Sequence, residues 1–223
     1  MNEFFWGGLP YAAFAILICG TIYRYAKGER GWTTKSSEFL EKKSLKIAGP
    51  MFHLGLFMAI GGHAIGILVP KFLTDSVGID EHFYHIIALA GGIPAGILFF
   101  VGFFLLMRRR FDNPKMKVNT STMDGWLYLI LFLAIATGCL ATALNATGIL
   151  GDFNYRETIS PWFRSLLMLQ PDVTLMENVP IIFKCHMLMW MITAIIFPFT
   201  RLVHCLSFPF EYFCRSNIIY RRK

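Results

Sequence analysis

Five long runs of apolar residues, separated by charged and polar stretches, organise the chain: 4–23, 48–69, 85–107, 123–146 and 180–205. A helix crosses the hydrocarbon of a bilayer with roughly 20 apolar residues, and each run reaches that length. The stretch 147–179 carries Pro, Asp, Arg and Trp but no spanning run. The pattern predicts an all-α integral membrane protein with five transmembrane helices, a single membrane domain over 1–223 and a tail at 206–223.

Composition supports that class. The 223 residues are 55% hydrophobic and only 16% charged, where a soluble domain carries about a quarter charged residues. Phenylalanine alone accounts for 22 positions, which suits a surface that meets acyl chains. The N-terminal run is read as a retained helix and not as a secretory signal, because Glu3 stands where a positive region is required and no small-residue cleavage site follows.

Charge gives the orientation. Lys and Arg concentrate in loops kept on the cytoplasmic side. Arg24, Lys27, Arg30, Lys35, Lys42, Lys43 and Lys46 lie between runs one and two, and Arg108, Arg109, Arg110, Lys115 and Lys117 between runs three and four. Arg201, Arg215, Arg221, Arg222 and Lys223 lie at the C-terminal end. The intervening loops hold mainly Asp and Glu. An odd number of spans puts the termini on opposite sides, so the N-terminus is expected outside and the C-terminus in the cytoplasm. The net charge of +7 then reads as a topological signal that also meets anionic lipid or a partner subunit, with no nucleic acid as partner.

Four of six histidines lie inside two of the runs: His53 and His63 in the second, His186 and His204 in the fifth. An ionisable residue at membrane depth marks a functional site by default. The two helices run in opposite directions, so depth pairs His53 with His204 at the inner level and His63 with His186 at the outer. Neutral imidazole suits iron, and two such pairs point to two b-type haems stacked across the bilayer. The five cysteines are scattered, and no C-x-x-C-H or C-x-x-C occurs, which excludes covalent haem attachment.

The spacing fits imperfectly. His186 and His204 are 18 residues apart and return to one helix face, whereas His53 and His63, 10 apart, fall about 80° out of register. Gly55, Gly61, Gly62 and Gly66 would admit a macrocycle, or equally let helices pack closely. Arg108, Arg109 and Arg201 at the inner level and Lys184 at the outer are candidates for haem propionates; plain snorkelling explains them as well. His82 and His85 read as interfacial residues. The competing account of the four histidines is hydrogen bonding across helices or a proton path.

The runs Phe52-His53-Leu54-Gly55, Gly62-His63-Ala64-Ile65-Gly66, Phe183-Lys184-Cys185-His186 and Pro198-Phe199-Thr200-Arg201-Leu202-Val203-His204 resemble the second and fifth helices of the gamma subunit of respiratory nitrate reductase. Arg24-Tyr25, Gly31-Trp32 and Ser36-Ser37 resemble its first cytoplasmic loop, and 106–111 the end of its third helix. The resemblance covers essentially the whole chain. It implies a multi-pass subunit of a prokaryotic cell membrane, with two haem b, in a complex with an iron–sulfur beta subunit and a molybdenum-containing alpha subunit. It implies that the chain oxidises quinol near the outer face and relays electrons inward, His53 and His204 ligating the inner haem iron, His63 and His186 the outer. Some relatives carry a lysine near the start of the third helix; here 81–107 contains none. His85, with Gly62, His63 and Gly66, is the quinol site the resemblance implies.

Two rivals stand beside this reading. A membrane cytochrome of a heterodisulfide-reductase or sulfite-reduction complex shares the histidine frame. A haem-free histidine proton relay predicts carboxylates at depth, and Asp124, near the start of the fourth run, is the one carboxylate inside any of the five runs. Nitrate reduction itself belongs to a partner, since the chain carries no cysteine cluster and no molybdenum-binding domain. The tail 208–223, mixing aromatic and basic residues, is the expected docking segment.

Overall fold

Helical hydrogen bonding satisfies every backbone group within its own segment, which is why a chain this apolar folds into helices. The computed structural model describes residues 2–27, 37–151 and 153–206; the proposed docking tail and the Gly31-Trp32 motif lie outside these. Among the described residues the structure is all-helical, and five helices are long and apolar enough to cross a membrane: Glu3–Lys27, Leu45–Leu68, Glu81–Asp112, Thr122–Ala146 and Ile181–Phe199. We number the α-helices α1 (Leu9–Lys27, after a π-turn at Glu3–Gly8), α2 (Leu45–Leu68), α3 (Lys71–Ser76), α4 (Glu81–Asp112), α5 (Pro114–Val118), α6 (Thr122–Ala146), α7 (Ile159–Leu167) and α8 (Ile181–Ile196).

The spans begin where polar side chains replace the missing helical partners. Asp80 accepts the Phe83 amide at 2.7 Å to start α4, four residues before the apolar run begins. Ser121 and Asp124 form a reciprocal capping box at the start of α6, two orphan amides being satisfied at once.

The fifth span differs from the single helix expected over 180–205. α8 ends at Ile196, and short 3-10 turns follow at Phe197–Phe199 and Arg201–Leu206. Pro198 has no amide hydrogen to continue the ladder. His204 therefore does not share a helix face with His186, and the 18-residue periodicity argument fails for this pair. The loop 147–179 also contains more structure than its composition suggests: α7, with a 3-10 turn at Val173–Met176.

Among the described residues the extensive helix contacts run in the order α2, α4, α6, α8, α1, an arc; α2 and α8 meet where the His63 and His186 rings face each other. At one end of the arc a cluster of Trp6, Ile159, Trp162, Leu166, Met176 and Val179 ties α7 to the start of α1, with the Trp162 indole N–H donating to the Trp6 carbonyl at 2.9 Å. Phe99, Phe103, Leu127, Leu131 and Ile135 join α4 to α6. Large apolar side chains such as Phe57, Ile97, Phe104 and Trp126 point outward, as expected where the solvent is lipid.

α2 and α4 cross backbone to backbone. A Cβ on Gly55 would collide with the Phe99 backbone, and one on Gly102 would lie 2.5 Å from the Phe52 nitrogen. Such close approach is how helices associate when burial from water offers no driving force. Gly55→Ala is predicted to cost about 1–3 kcal/mol, read as a lowered thermal midpoint in detergent. Gly92→Ala, on an open face of α4 with no atom within 4 Å of the added carbon, should lower it not at all.

Candidate functional site

The pair His63 and His186, expected at the outer level, is assembled from three helices. His63 projects from α2 and His186 from α8, and their ring centroids stand 6.0 Å apart with planes inclined by 38°. His186 lies flat against α6: a Cβ on Gly138 would sit 2.6 Å from its Cε1. Gly138 was missed by the sequence reading, though the small residues Ala134, Ala136, Thr137 and Gly138 on one stretch of α6 are the signal that would have found it.

All four intramembrane histidines share one hydrogen-bonding arrangement. Nδ1 lies 2.8 Å from the Gly49 carbonyl in His53, 2.6 Å from Ala59 in His63, 2.9 Å from Ala134 in His186 and 2.6 Å from Arg201 in His204. A carbonyl oxygen can only accept, so Nδ1 carries the hydrogen and Nε2 is the ring nitrogen left for another partner. At His186 the Trp190 indole N–H donates to that Nε2 at 3.2 Å, independent evidence for the same tautomer. A neutral imidazole with Nδ1–H held by an acceptor is the form in which histidine binds a metal.

These residues fit a haem at the outer level. Two imidazoles on opposite sides of one metal, bonded at about 2 Å through nitrogens about 1 Å from the ring centre, would have centroids about 6 Å apart. His63 and His186 have that separation. Neither Gly61 nor Gly62 has an atom within 4 Å of an added Cβ, so the α2 backbone beside His63 is bare. Among the described residues no group of three or more His, Cys, Asp or Glu could hold a metal ion; a macrocycle needs only two protein ligands.

The inner pair is arranged differently. His53 and His204 make no ring contact. His53 is exposed and borders an open recess of about 510 Å³ whose lining includes Glu38, Lys42, Lys46, Gly49 and Pro50. His204 sits in the 3-10 turn, which is held from two sides. Arg24, at the end of α1, donates through Nη1 to the carbonyls of Pro198 at 2.6 Å and Thr200 at 2.7 Å. Arg201 grips Asp124 of α6: Nε donates to Oδ1 at 2.8 Å, and Nη2 stands 2.6 Å from Oδ2, within ion-pair range though misaligned for a second hydrogen bond. Neither clamp was visible in the sequence.

The cationic candidates have partners within the chain. Arg109 is buried and donates to the Glu41 carboxylate at 2.6 Å and to Ser37 Oγ and carbonyl oxygen, each at 3.0 Å, as well as to the Glu41 carbonyl. Arg108 makes an exposed pair with Asp112 at 3.2 Å. Lys184 donates to the Glu177 carbonyl at 3.0 Å. The Ser44 amide and the Arg109 guanidinium both donate to the Glu41 carboxylate and hold its pKa below 4.5.

Of the outer candidates, Gly66 is enclosed and Gly62 open, while His85 points to the exposed side of α4. The residue at the start of α4 that faces Gly66 is Tyr84, one position earlier, with Tyr155 beside it.

Two predictions follow from the inner face. Asp124→Ala strands Arg201, only 13% exposed, at a cost of about 3–5 kcal/mol, measured as a large fall in thermal midpoint; an apolar pair at 124 and 201 should recover most of it. Glu41's folded pKa is depressed, so its stabilising contact is present above its unfolded value and lost as pH falls through the folded one. Limited proteolysis of 37–44 should therefore accelerate only below about pH 4.5, and Glu41→Gln should accelerate it at neutral pH.

A family model for the nitrate reductase gamma subunit matches residues 2–223. Over the whole chain the sequence is 42% identical to the nitrate reductase gamma chain of Bacillus subtilis, covering 99% of that protein. It is 29% identical to the respiratory nitrate reductase 1 gamma chain of Escherichia coli, covering 98%. It is also 42% identical to the nitrate reductase-like protein NarX of Mycobacterium tuberculosis, of which it spans 34%. The chain belongs to the nitrate reductase gamma subunit family: it is a membrane subunit of an oxidoreductase complex.

Proposed function

We propose that this nitrate reductase gamma subunit oxidises quinol near the outer face of the membrane and carries the electrons through two b haems to an iron–sulfur beta subunit at the cytoplasmic face, nitrate being reduced on a molybdenum-containing alpha subunit. The observation that carries the reading is the facing of His63 and His186 from two different spans, with ring centroids 6.0 Å apart. Any helical histidine can give its Nδ1 hydrogen to a carbonyl one turn back, but two imidazoles at the separation that one shared metal requires are what iron ligation needs. Haem, when bound, supplies a one-electron redox centre.

In this reading His63 and His186 hold the outer haem and His53 and His204 the inner. The carbonyls of Gly49, Ala59, Ala134 and Arg201 orient the rings. Gly138 lets His186 recess into α6, and the bare backbone at Gly61 and Gly62 leaves a flat face open to the bilayer. Arg24 and Asp124 act as positioning residues, fixing the turn that carries His204. Arg108, Arg109, Arg201 and Lys184 are the proposed cations for the haem propionates. Arg108 and Lys184, bonded to an exposed carboxylate and a carbonyl, can exchange partners at least cost, whereas Arg109 and Arg201 are held by buried networks.

The alternation of basic loops supports an N-terminus outside and a C-terminus in the cytoplasm. Electrons passing inward while quinol protons leave outside contribute to the membrane potential, each charge working against about 2.3 kcal/mol per 100 mV.

The test is the pyridine-haemochrome content and the reduced-minus-oxidised spectrum of the purified protein. Two b haems per chain are expected, falling to about one in His63→Ala and in His53→Ala. A folded preparation without haem would overturn the proposal.

A further inference from the structure

The connection between the fourth and fifth spans folds back against the first. Trp162 of α7 gives its indole hydrogen to the Trp6 carbonyl at 2.9 Å, and the Tyr11 hydroxyl donates to the Leu166 carbonyl at 3.0 Å. By Val173 the chain has returned to the first span, its Cγ1 standing 3.5 Å from where a Cβ on Gly7 would be. Residues 162–173 are therefore fastened beside residues 6–11. The first apolar run starts at Phe4, so positions 6 to 11 lie about 3–10 Å in from its edge at 1.5 Å per residue. That is the depth at which amphipathic segments rest in a bilayer, where headgroups give way to acyl chains.

Between these anchors the turn 167–170 leaves the protein surface. Leu167, Met168 and Leu169 are 57%, 72% and 77% exposed, three large apolar side chains in succession without protein cover. No charged residue falls between Arg164 and Asp172. Leu169 has a φ of +58°, the left-handed conformation that ends a helix and that glycine or asparagine adopts at least cost. A leucine in that position brings nothing but exposed apolar surface.

The backbone of the turn is closed on itself. The Met168 amide donates to the Arg164 carbonyl at 3.1 Å, that of Leu169 to Leu166 at 3.0 Å and that of Gln170 to Ser165 at 3.0 Å. Pro171 has no amide hydrogen, and the Asp172 amide donates to Ser165 Oγ at 3.0 Å. From 168 to 172 no backbone donor is left for solvent. A turn in water can leave its amides to water; a turn among acyl chains cannot.

We propose that the turn 167–170 is a non-spanning membrane anchor, immersed among the acyl chains of the leaflet at the α7 end of the bundle, and that its partner is phospholipid. Depth, apolar side chains and a self-satisfied backbone are three separate requirements of such a segment, and the turn meets each of them. Its surface lies at the level of the exposed Phe5 and Phe14 of the first span, which face lipid already. The anchor bears on the histidine-bearing span, because α7 also holds the end of α2. Ser160 donates to the Gly66 carbonyl at 2.9 Å and Arg164 to the Ile67 carbonyl at 2.8 Å.

The experiment is hydroxyl-radical footprinting of the purified complex in phospholipid nanodiscs, with Met168 as the native reporter and peptide mass spectrometry as the readout. Radicals generated in water oxidise an accessible methionine readily. A water-facing Met168, at 72% exposure, would react nearly as fast as in a synthetic peptide of residues 160–175. Oxidation about tenfold slower than in that peptide is expected, and a diazirine carried on the acyl chain of the nanodisc phospholipid should label 165–171. Leu167→Gln/Leu169→Asn keeps the left-handed position favourable and removes the apolar surface. It should restore most of the Met168 oxidation and lose the lipid label, with the circular dichroism spectrum unchanged. Slowing by less than about fivefold in the parent protein overturns the proposal. Slow oxidation without lipid labelling overturns it as well, since a second copy of the chain or a partner subunit would then cover the turn.

Discussion

Inside a bilayer no water is available to a stray polar group, so every donor and acceptor must find a partner within the protein or its ligands. That constraint organises the structure. It makes the spans helical, it fixes each intramembrane histidine by its Nδ1 hydrogen, and it dictates what happens where the fifth span breaks. Pro198 interrupts the ladder, and the carbonyls of Pro198 and Thr200 are met by Arg24 from the far end of α1. The guanidinium that would otherwise read as a topological charge is a cap for a broken helix 174 residues away.

The break has a functional sense. A straight helix would carry His204 in register with His186; the 3-10 turn instead lets its direction be set by two clamps, Arg24 and the Arg201–Asp124 pair. Asp124 serves twice, as a member of the α6 capping box and as the anion for Arg201, so the start of one span fixes the end of another. The outer histidines need no such device, since His186 sits in regular helix against Gly138 of α6. The surroundings of the two histidine levels are thus built by different means: helix packing around His63 and His186, ionic clamping around His204.

The arc of helices explains why the histidine-bearing spans face each other without extensive packing. α2 is supported by α4, and α8 by α6 and α1. The close backbone contact at Gly55 and Gly102 presses α2 onto α4 and leaves its other face, with His53, Gly62 and His63, uncovered. The outer cluster around Trp162 and the Ser160–Gly66 bond fix the outer end of α2 through α7, a helix lying in what composition marked only as a loop.

The sequence by itself determined the five spans, because hydrocarbon thickness and apolar run length are one-dimensional quantities, and the four histidines stood out because an ionisable group in such a run is conspicuous. Their expected levels came from counting residues along antiparallel segments, and of the two expected pairs His63 and His186 stand face to face. What only the tertiary structure decided depends on contacts between residues far apart in the chain and on local backbone. The end of α8 at Ile196 required knowing which partners would compensate the proline, the meeting of Tyr84 with Tyr155 joins residues 71 positions apart, and the partners of Arg109 and Arg201 were chosen by geometry. Charge and hydropathy place a residue at a depth; which neighbour it touches at that depth is set by helix rotation and crossing, and no linear pattern encodes either.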